Sequence, residues 1–216
     1  MSLSFLGFFR RKPPIRSTHD LADFVDEQSA YIVQKGLYDY TQARAGHYTK
    51  VLIKEPEFLE SFERSRWRAY PLGLAMIGEM VEGVLRPHAA ADRRAVLDPL
   101  IAMVLSVFDR YPVPSSLGGE IWRVARSDLA RRLDQIGTHP PKRVIDIPEP
   151  YAQSYFDLMP FHKHLLTSDM PTARSYLQIN LANIQDELIK RADTPALIAT
   201  LRSRSEERRV GKECRL

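Results

Sequence analysis

Two acidic side chains, Glu79 and Glu82, are the residues of this sequence best placed to do chemistry. They stand three positions apart within residues 70–85, YPLGLAMIGEMVEGVL, the most apolar stretch of the chain. Residues three apart lie on one face of a helix. Two carboxylates that share an apolar pocket are suited to general acid–base catalysis. The competing interpretation is an ordinary helix face that reaches water.

No other catalytic or metal motif accompanies this pair. The sequence contains no G-x-S-x-G, S-x-x-K, H-E-x-x-H or E-x-x-H pattern. His162 and His164 form only an H-x-H pair, and their imidazoles would diverge by about 200° on a helix. We therefore expect no metal and no cofactor. Triad partners can be distant in sequence, so the missing motifs weaken an enzymatic interpretation without excluding it, and no catalytic residue is assigned.

The spacing of apolar residues predicts that the carboxylate pair lies on a buried helix. Positions 77, 80, 81, 84 and 85 are apolar at helical intervals. Pro71 suits the first turn of this helix, and Arg86-Pro87 ends the pattern. The glycines of the stretch predict close approach of neighbouring helices, because a glycine has no side chain to keep two backbones apart.

A second apolar stretch, residues 100–108, predicts the partner of this helix. It follows Asp98-Pro99, an N-cap and a first-turn proline. Alternatively, the second helix begins at Asp92 and kinks at Pro99. The short connection between the two apolar helices predicts an antiparallel pair at the centre of a bundle.

Length and composition favour one globular domain. The chain has 216 residues, of which 44% are hydrophobic and 27% charged, and both fractions are ordinary for globular proteins. Further amphipathic stretches predict an all-α, single-domain bundle of about six to eight helices over residues 18–203. Its first helix is capped by Ser17 or Thr18 and either breaks at Gly36 or continues to Arg44.

Residues 137–160 form a proline-rich segment that is too apolar for a solvated loop. Residues 143–147 could be extended, and a short helix could follow. The favoured interpretation is that the segment packs against the bundle. It is also our best candidate for a partner-contacting surface, which would consist of Tyr151, Tyr155 and Phe156.

The N-terminal tail, residues 1–17, combines aromatic and basic side chains and contains no acid. Candidate membrane-contacting residues are Phe5, Phe8, Phe9, Arg10, Arg11 and Lys12. Three interpretations remain open: a loosely docked tail, a weak interfacial anchor on anionic lipid, and an organellar presequence. The apolar run precedes the basic residues, which is the wrong order for a secretory signal.

The basic cluster around Trp67 is the feature that most resembles a nucleic-acid site. It consists of Arg64, Arg66 and Arg68. Glutamates at positions 57, 60 and 63 stand at pairing distance along a helix, where they would cancel the positive field. We therefore expect no nucleic-acid partner.

Residues 204–215, RSEERRVGKECR, match the in-frame translation of a common sequencing adapter, residue for residue. We interpret residues 204–216 as non-native and exclude them from fold reasoning. The segment holds five of the 31 basic and three of the 27 acidic residues, so without it the net charge falls from +4 to +2. It also holds the single cysteine, Cys214, so we expect no disulfide, cysteine-ligated zinc or thiol catalysis in the native chain.

The sequence favours a non-catalytic helical binding or scaffold module with an unknown protein partner. Arginine is commoner than lysine, and alanine and proline are frequent, which fits a GC-rich bacterial genome. We expect the module in the cytoplasm, with peripheral contact to the inner membrane as an option. The alternative is a small-ligand binder or enzyme that uses Glu79 and Glu82. This alternative predicts a pocket with a titratable neighbour, whereas the scaffold interpretation predicts an exposed carboxylate face and no sizeable cavity.

Overall fold

The chain folds as a bundle of α-helices. A computed structural model describes residues 12–89, 92–161, 166 and 169–213. This described part contains seven helices of two turns or more and one single-turn helix, and no strand. The helices are α1 Thr18–Ala45, α2 Thr49–Leu52, α3 Pro56–Leu85, α4 Arg94–Phe108, α5 Gly119–Ile136, α6 Glu149–Phe156, α7 Met170–Arg191 and α8 Thr194–Glu213. The predicted all-α class and the number of helices are confirmed.

Helix α3 is the centre of the bundle. It packs on α1, α4, α5 and α7, and its most extensive packing is with α1. At one end of α3, Arg93 contacts Glu82, and towards the middle Tyr111 contacts Tyr70. Helices α3 and α4 therefore run antiparallel, as the two apolar stretches predicted. A Cβ atom at Gly73 would lie 2.9 Å from the Ser29 carbonyl oxygen, which confirms close approach of α1 to α3.

Two prolines lie inside helices rather than at helix starts. Helix α3 begins at Pro56 and continues through Pro71, so the predicted start at Pro71 is wrong. Helix α4 begins at Arg94 and continues through Pro99, which is close to the alternative start at Asp92. An interior proline costs about 3 kcal/mol. The side chains that follow Pro71 are almost all buried, and this burial offsets the cost.

Helix α1 has the predicted cap. The Asp20 backbone N–H donates to Ser17 Oγ at 3.1 Å, and the Ser17 N–H donates to the Asp20 carboxylate at 2.9 Å. These reciprocal bonds form a capping box. Hydrogen bonds from the backbone of Arg16 and from Ser17 lower the pKa of Asp20. The helix does not break at Gly36 but continues to Ala45.

The segment between α5 and the end of α6 packs against the bundle. Residues Val144–Asp146 form a 3-10 turn rather than an extended segment, and α6 follows as the predicted short helix. Helix α6 packs mainly on α7. Helix α8 continues to Glu213 through the adapter-like residues, because arginine, lysine and glutamate are good helix formers.

Candidate functional site

Glu82 is buried, and both of its carboxylate oxygens are bound by arginines. Only 4% of the residue is exposed. Arg86 donates from Nε to Oε1 at 2.8 Å and from Nη2 to Oε2 at 2.7 Å. Arg93 donates from Nε to Oε1 at 3.0 Å. The expectation that this helix face reaches water is therefore wrong.

The same two arginines bind the C-terminal end of α5. Arg93 donates to the carbonyls of Ile136 at 3.0 Å and Gly137 at 3.2 Å. Arg86 donates to the carbonyls of Ile136 at 3.2 Å and His139 at 3.0 Å. The last carbonyls of a helix have no partner within the helix, so these bonds satisfy them. Glu82 thus orients two arginines that tie α3 and α4 to α5.

The space beside Glu82 is too small for a ligand. The cavity measures about 10 Å³ and is lined by residues that include Glu82, Arg86 and Arg93. A volume of that order holds at most one water molecule. Glu82 is therefore a buried ion-pair residue, and the described residues form no substrate-sized cleft at it.

Glu79 is also buried, but its partners differ from those of Glu82. It is 5% exposed. Lys142 Nζ lies 2.7 Å from Oε1, and His139 Nε2 lies 3.6 Å from the same atom. Oε1 accepts no well-aligned hydrogen bond from the described residues, so its contact with Lys142 is an ion pair. Each carboxylate has its own cations, and the two do not share a pocket.

Tyr151 adds a second titratable group beside Glu79. Burial, and next the charge of Glu79, raise the pKa of the Tyr151 phenol to about 12. The guanidinium of Arg132 lies over the Tyr151 ring, 5.1 Å from its centre. Three ionisable side chains, Lys142, His139 and Tyr151, therefore lie close to Glu79. No cluster of three or more metal-ligating side chains occurs within the described residues.

Tyr151, Tyr155 and Phe156 are core residues, which corrects their assignment as a partner surface. Their exposed fractions are 4%, 0% and 5%. The Tyr155 hydroxyl donates to the Val33 carbonyl at 3.1 Å, and the Phe156 ring packs edge-on against Tyr40. The favoured interpretation, that residues 137–160 pack against the bundle, describes these side chains correctly. Large apolar side chains in a proline-rich segment gain more from burial than from contact with water.

The candidate membrane-contacting residues fall largely outside the described residues. This applies to Phe5, Phe8, Phe9, Arg10 and Arg11. Lys12 is described, and its Nζ pairs with Glu187 at 2.9 Å. Within the described ranges, no helix has the length and hydropathy needed to span a bilayer.

Two of the three arginines around Trp67, Arg64 and Arg66, are paired with glutamates, as predicted. Arg64 donates to Glu60 at 2.6 Å, and Trp67 Nε1 donates to Glu63 at 2.6 Å. Arg66 also pairs with Glu63. These contacts reduce the positive field of the cluster.

Sequence reasoning missed a partly buried carboxylate, Asp26, on α1. It accepts hydrogen bonds from the hydroxyls of Tyr70 at 2.6 Å and Tyr111 at 2.9 Å. Arg110 donates to it at 3.1 Å. These bonds tie α1 to α3 and to the end of α4. No local pattern could reveal them, because Tyr70 and Tyr111 are 44 and 85 positions away in the chain.

Sequence reasoning also missed a group of exposed apolar side chains between α1 and α3. We name residues 46–54 the α2 corner; it comprises a 3-10 turn and α2. Tyr48 is 78% exposed, Val51 56% and Ile53 37%. The corner packs mainly on the end of α1. The sequence signal that could have revealed this exposure is the apolar run VLI at residues 51–53. It lies at a helix that is too short to bury all three side chains.

Comparison of the chain with known protein families, curated proteins and solved structures finds no match. Its function must therefore be inferred from the geometry of the described residues.

Proposed function

We propose that this protein is a non-catalytic helical binding module that docks a protein partner on the α2 corner. The observation that carries this proposal is the exposure of Tyr48, Val51 and Ile53 within one short segment. Several exposed apolar side chains within one short segment are a feature of many interaction sites. Aromatic side chains such as Tyr48 supply much of the energy of protein interfaces.

The charges around the corner favour a protein over a lipid surface. Lys50 and Lys54 are exposed on α2 and just after it, and Glu55 and Glu57 are exposed at the start of α3. An apolar centre with a polar rim is the usual anatomy of a protein interface. An anionic membrane would attract the two lysines but repel the two glutamates.

The buried carboxylates are not the exposed face that the scaffold interpretation predicted, but their pairing with cations supports the non-catalytic part of the proposal. Glu82 has both oxygens bound by arginines and has no adjacent ligand-sized space. Glu79 has an ammonium group in contact with Oε1. Glu82 therefore ties α3 and α4 to α5, and Glu79 ties α3 to the segment that follows α5.

A capture experiment tests the proposal. The wild-type chain is compared with a corner variant that combines Tyr48→Ser, Val51→Ser and Ile53→Ser. A matched control variant combines Ile121→Ser, Val124→Ser and Ile179→Ser, whose side chains are 49%, 47% and 62% exposed elsewhere on the surface. We expect one protein of the native host to be captured by the wild type and the control variant and lost with the corner variant. Equal capture by all three chains would contradict the proposal.

The second candidate function is an acid–base enzyme or small-ligand binder centred on Glu79. The observation that favours it is the convergence of Lys142, His139 and Tyr151 on this buried carboxylate. Native mass spectrometry of residues 1–203 distinguishes the two functions. A retained small molecule that is lost with Glu79→Gln would favour the enzyme, and a bare chain would favour the binding module.

The cellular location that we propose is the bacterial cytoplasm, with weak contact to the inner membrane through Phe5, Phe8, Phe9 and Arg10–Lys12. Aromatic side chains next to basic ones suit the boundary of an anionic bilayer, and one such short element binds weakly. Liposome sedimentation of the full chain and of a variant that lacks residues 2–12 tests this contact. Unchanged sedimentation of the shortened variant would rule it out.

A further inference from the structure

A cleft of about 230 Å³ opens between α1, the end of α6 and α7. Its walls include the rings of Tyr155 and Tyr176, the side chain of Met159, and Ala43 and Ala173. None of its lining residues belongs to the α2 corner or to the carboxylate pair. The inference drawn from it is therefore independent of the proposed function.

Gly36 allows the two tyrosines to form the back of this cleft. A Cβ atom at this position would overlap the Tyr155 hydroxyl and lie 2.6 Å from Tyr176 Cε1. The Tyr155 hydroxyl donates to the Val33 carbonyl at 3.1 Å, and the Tyr176 hydroxyl donates to the Ile32 carbonyl at 3.4 Å. Both phenols are thus anchored to the backbone of α1. Their rings form a wall that is in place before any ligand arrives, which lowers the entropic cost of binding.

The lining restricts the chemistry of a ligand. The hydroxyls of Tyr155 and Tyr176 already donate to backbone carbonyls. The two residues therefore offer a ligand their aromatic rings rather than a hydrogen-bond donor. Burial raises the pKa of both phenols, which keeps this wall uncharged at neutral pH. Asp39 is the one charged residue among the described residues of the lining, and Lys35 is its ion-pair partner. A carboxylate can only accept hydrogen bonds at neutral pH, so it favours a ligand that carries a donor.

We propose that the cleft binds a small, uncharged aromatic molecule that carries an N–H or O–H donor, of the size of indole. The volume of about 230 Å³ exceeds the roughly 150 Å³ of an apolar cavity that accepts benzene. The ring stacks or packs edge-on against Tyr155 and Tyr176, and the donor binds Asp39. An aromatic carboxylate is expected to bind more weakly, because it has no hydrogen to donate to Asp39.

Titration of the full-length chain with indole, followed by NMR of the methionine methyl groups, tests this site. We expect a saturable shift of the Met159 methyl signal. Ala173→Leu and Ala43→Leu each place additional carbon atoms in the cleft and are expected to weaken indole binding by about tenfold or more. Either variant alone suffices if the other does not fold.

Ala182→Leu is the matched control, because Ala182 is half-buried on α7 but does not line the cleft. It is expected to bind indole like the wild type. Absence of a saturable Met159 shift would overturn the proposal, as would wild-type affinity in the folded cleft variants. Benzoate is expected to produce no saturable shift at concentrations where indole saturates. Equal binding of benzoate would overturn the assignment of Asp39 as the acceptor for the ligand's donor.

Discussion

At the carboxylate end of α3, ionisable side chains are packed inside the bundle, whereas at the α2 corner apolar side chains face water. Glu82 is 4% exposed and fully bound by arginines, while Tyr48 is 78% exposed. The difference shows that residue type alone does not locate a functional surface. A glutamate in an apolar helix can hold helices together, and an apolar residue on a short helix can be available to a partner. This contrast leads to four predictions that separate the two regions.

The largest effect is expected from Glu82→Ala. This change leaves Arg86 and Arg93 without their carboxylate, in a largely buried position. Removing one partner of a buried ion pair typically destabilises a protein by about 3–5 kcal/mol. Urea denaturation measures the free energy of unfolding. Glu60→Ala, which breaks an exposed pair with Arg64, is the control and should lose about 1 kcal/mol or less. An equal loss in the two variants would show that Glu82 has no special structural role.

The second effect is a pH dependence at the same end of α3. The folded-state pKa of Tyr151 is raised from 10.0 to about 12. A raised pKa means that the folded state holds the proton more tightly than the unfolded state. The stability due to Tyr151 is therefore complete below pH 10 and is lost as the pH rises through about 12.

Tyr151→Phe is expected to reduce this alkaline loss by about 2 kcal/mol at pH 12, because the pKa rises from 10.0 to about 12 and one pKa unit corresponds to about 1.4 kcal/mol. Free energies of unfolding of both chains, measured at pH 9 and pH 12, check the prediction. Parallel pH profiles of the wild type and the variant would contradict the account of the Tyr151 environment.

The third effect distinguishes the two carboxylates from each other. Glu79→Gln leaves Lys142 unpaired, but the Lys142 side chain is 32% exposed and can turn towards water. We therefore expect a loss of only about 1 kcal/mol in the free energy of unfolding. Urea denaturation of Glu79→Gln and Glu82→Gln under the same conditions compares the two losses of stability directly. A larger loss for Glu79→Gln than for Glu82→Gln would reverse the order of structural importance assigned here.

The smallest effect on stability is expected at the α2 corner. Tyr48, Val51 and Ile53 are exposed and make few contacts that unfolding would break. The triple serine variant should therefore unfold within about 0.5 kcal/mol of the wild type. A loss above this value, measured in urea against the triple variant at Ile121, Val124 and Ile179, would mean that the corner is part of the core.

The fold was largely predictable from helical periodicity, and the site was not. The spacing of apolar residues and the cap at Ser17 predicted helices that the structure contains. Pro71 misled the prediction because tertiary burial outweighed a local preference.

The partners of the carboxylates explain why the site was harder to predict. Arg86 stands four residues after Glu82, and this spacing was a usable signal of an ion pair. Arg93, His139 and Lys142 meet the carboxylates only after α4 and the segment beyond α5 have packed on α3. Exposure of the α2 corner likewise depends on what the rest of the bundle leaves uncovered.

The most direct test of the account is site-specific photo-crosslinking in a lysate of the native host. A photoreactive residue is placed at Val51 in one chain and at Val124 in another, which are similarly exposed at 56% and 47%. The account predicts that one protein is crosslinked from position 51 and not from position 124. Crosslinking of the same protein from both positions, or from position 124 alone, would contradict the assignment of the α2 corner as the binding surface.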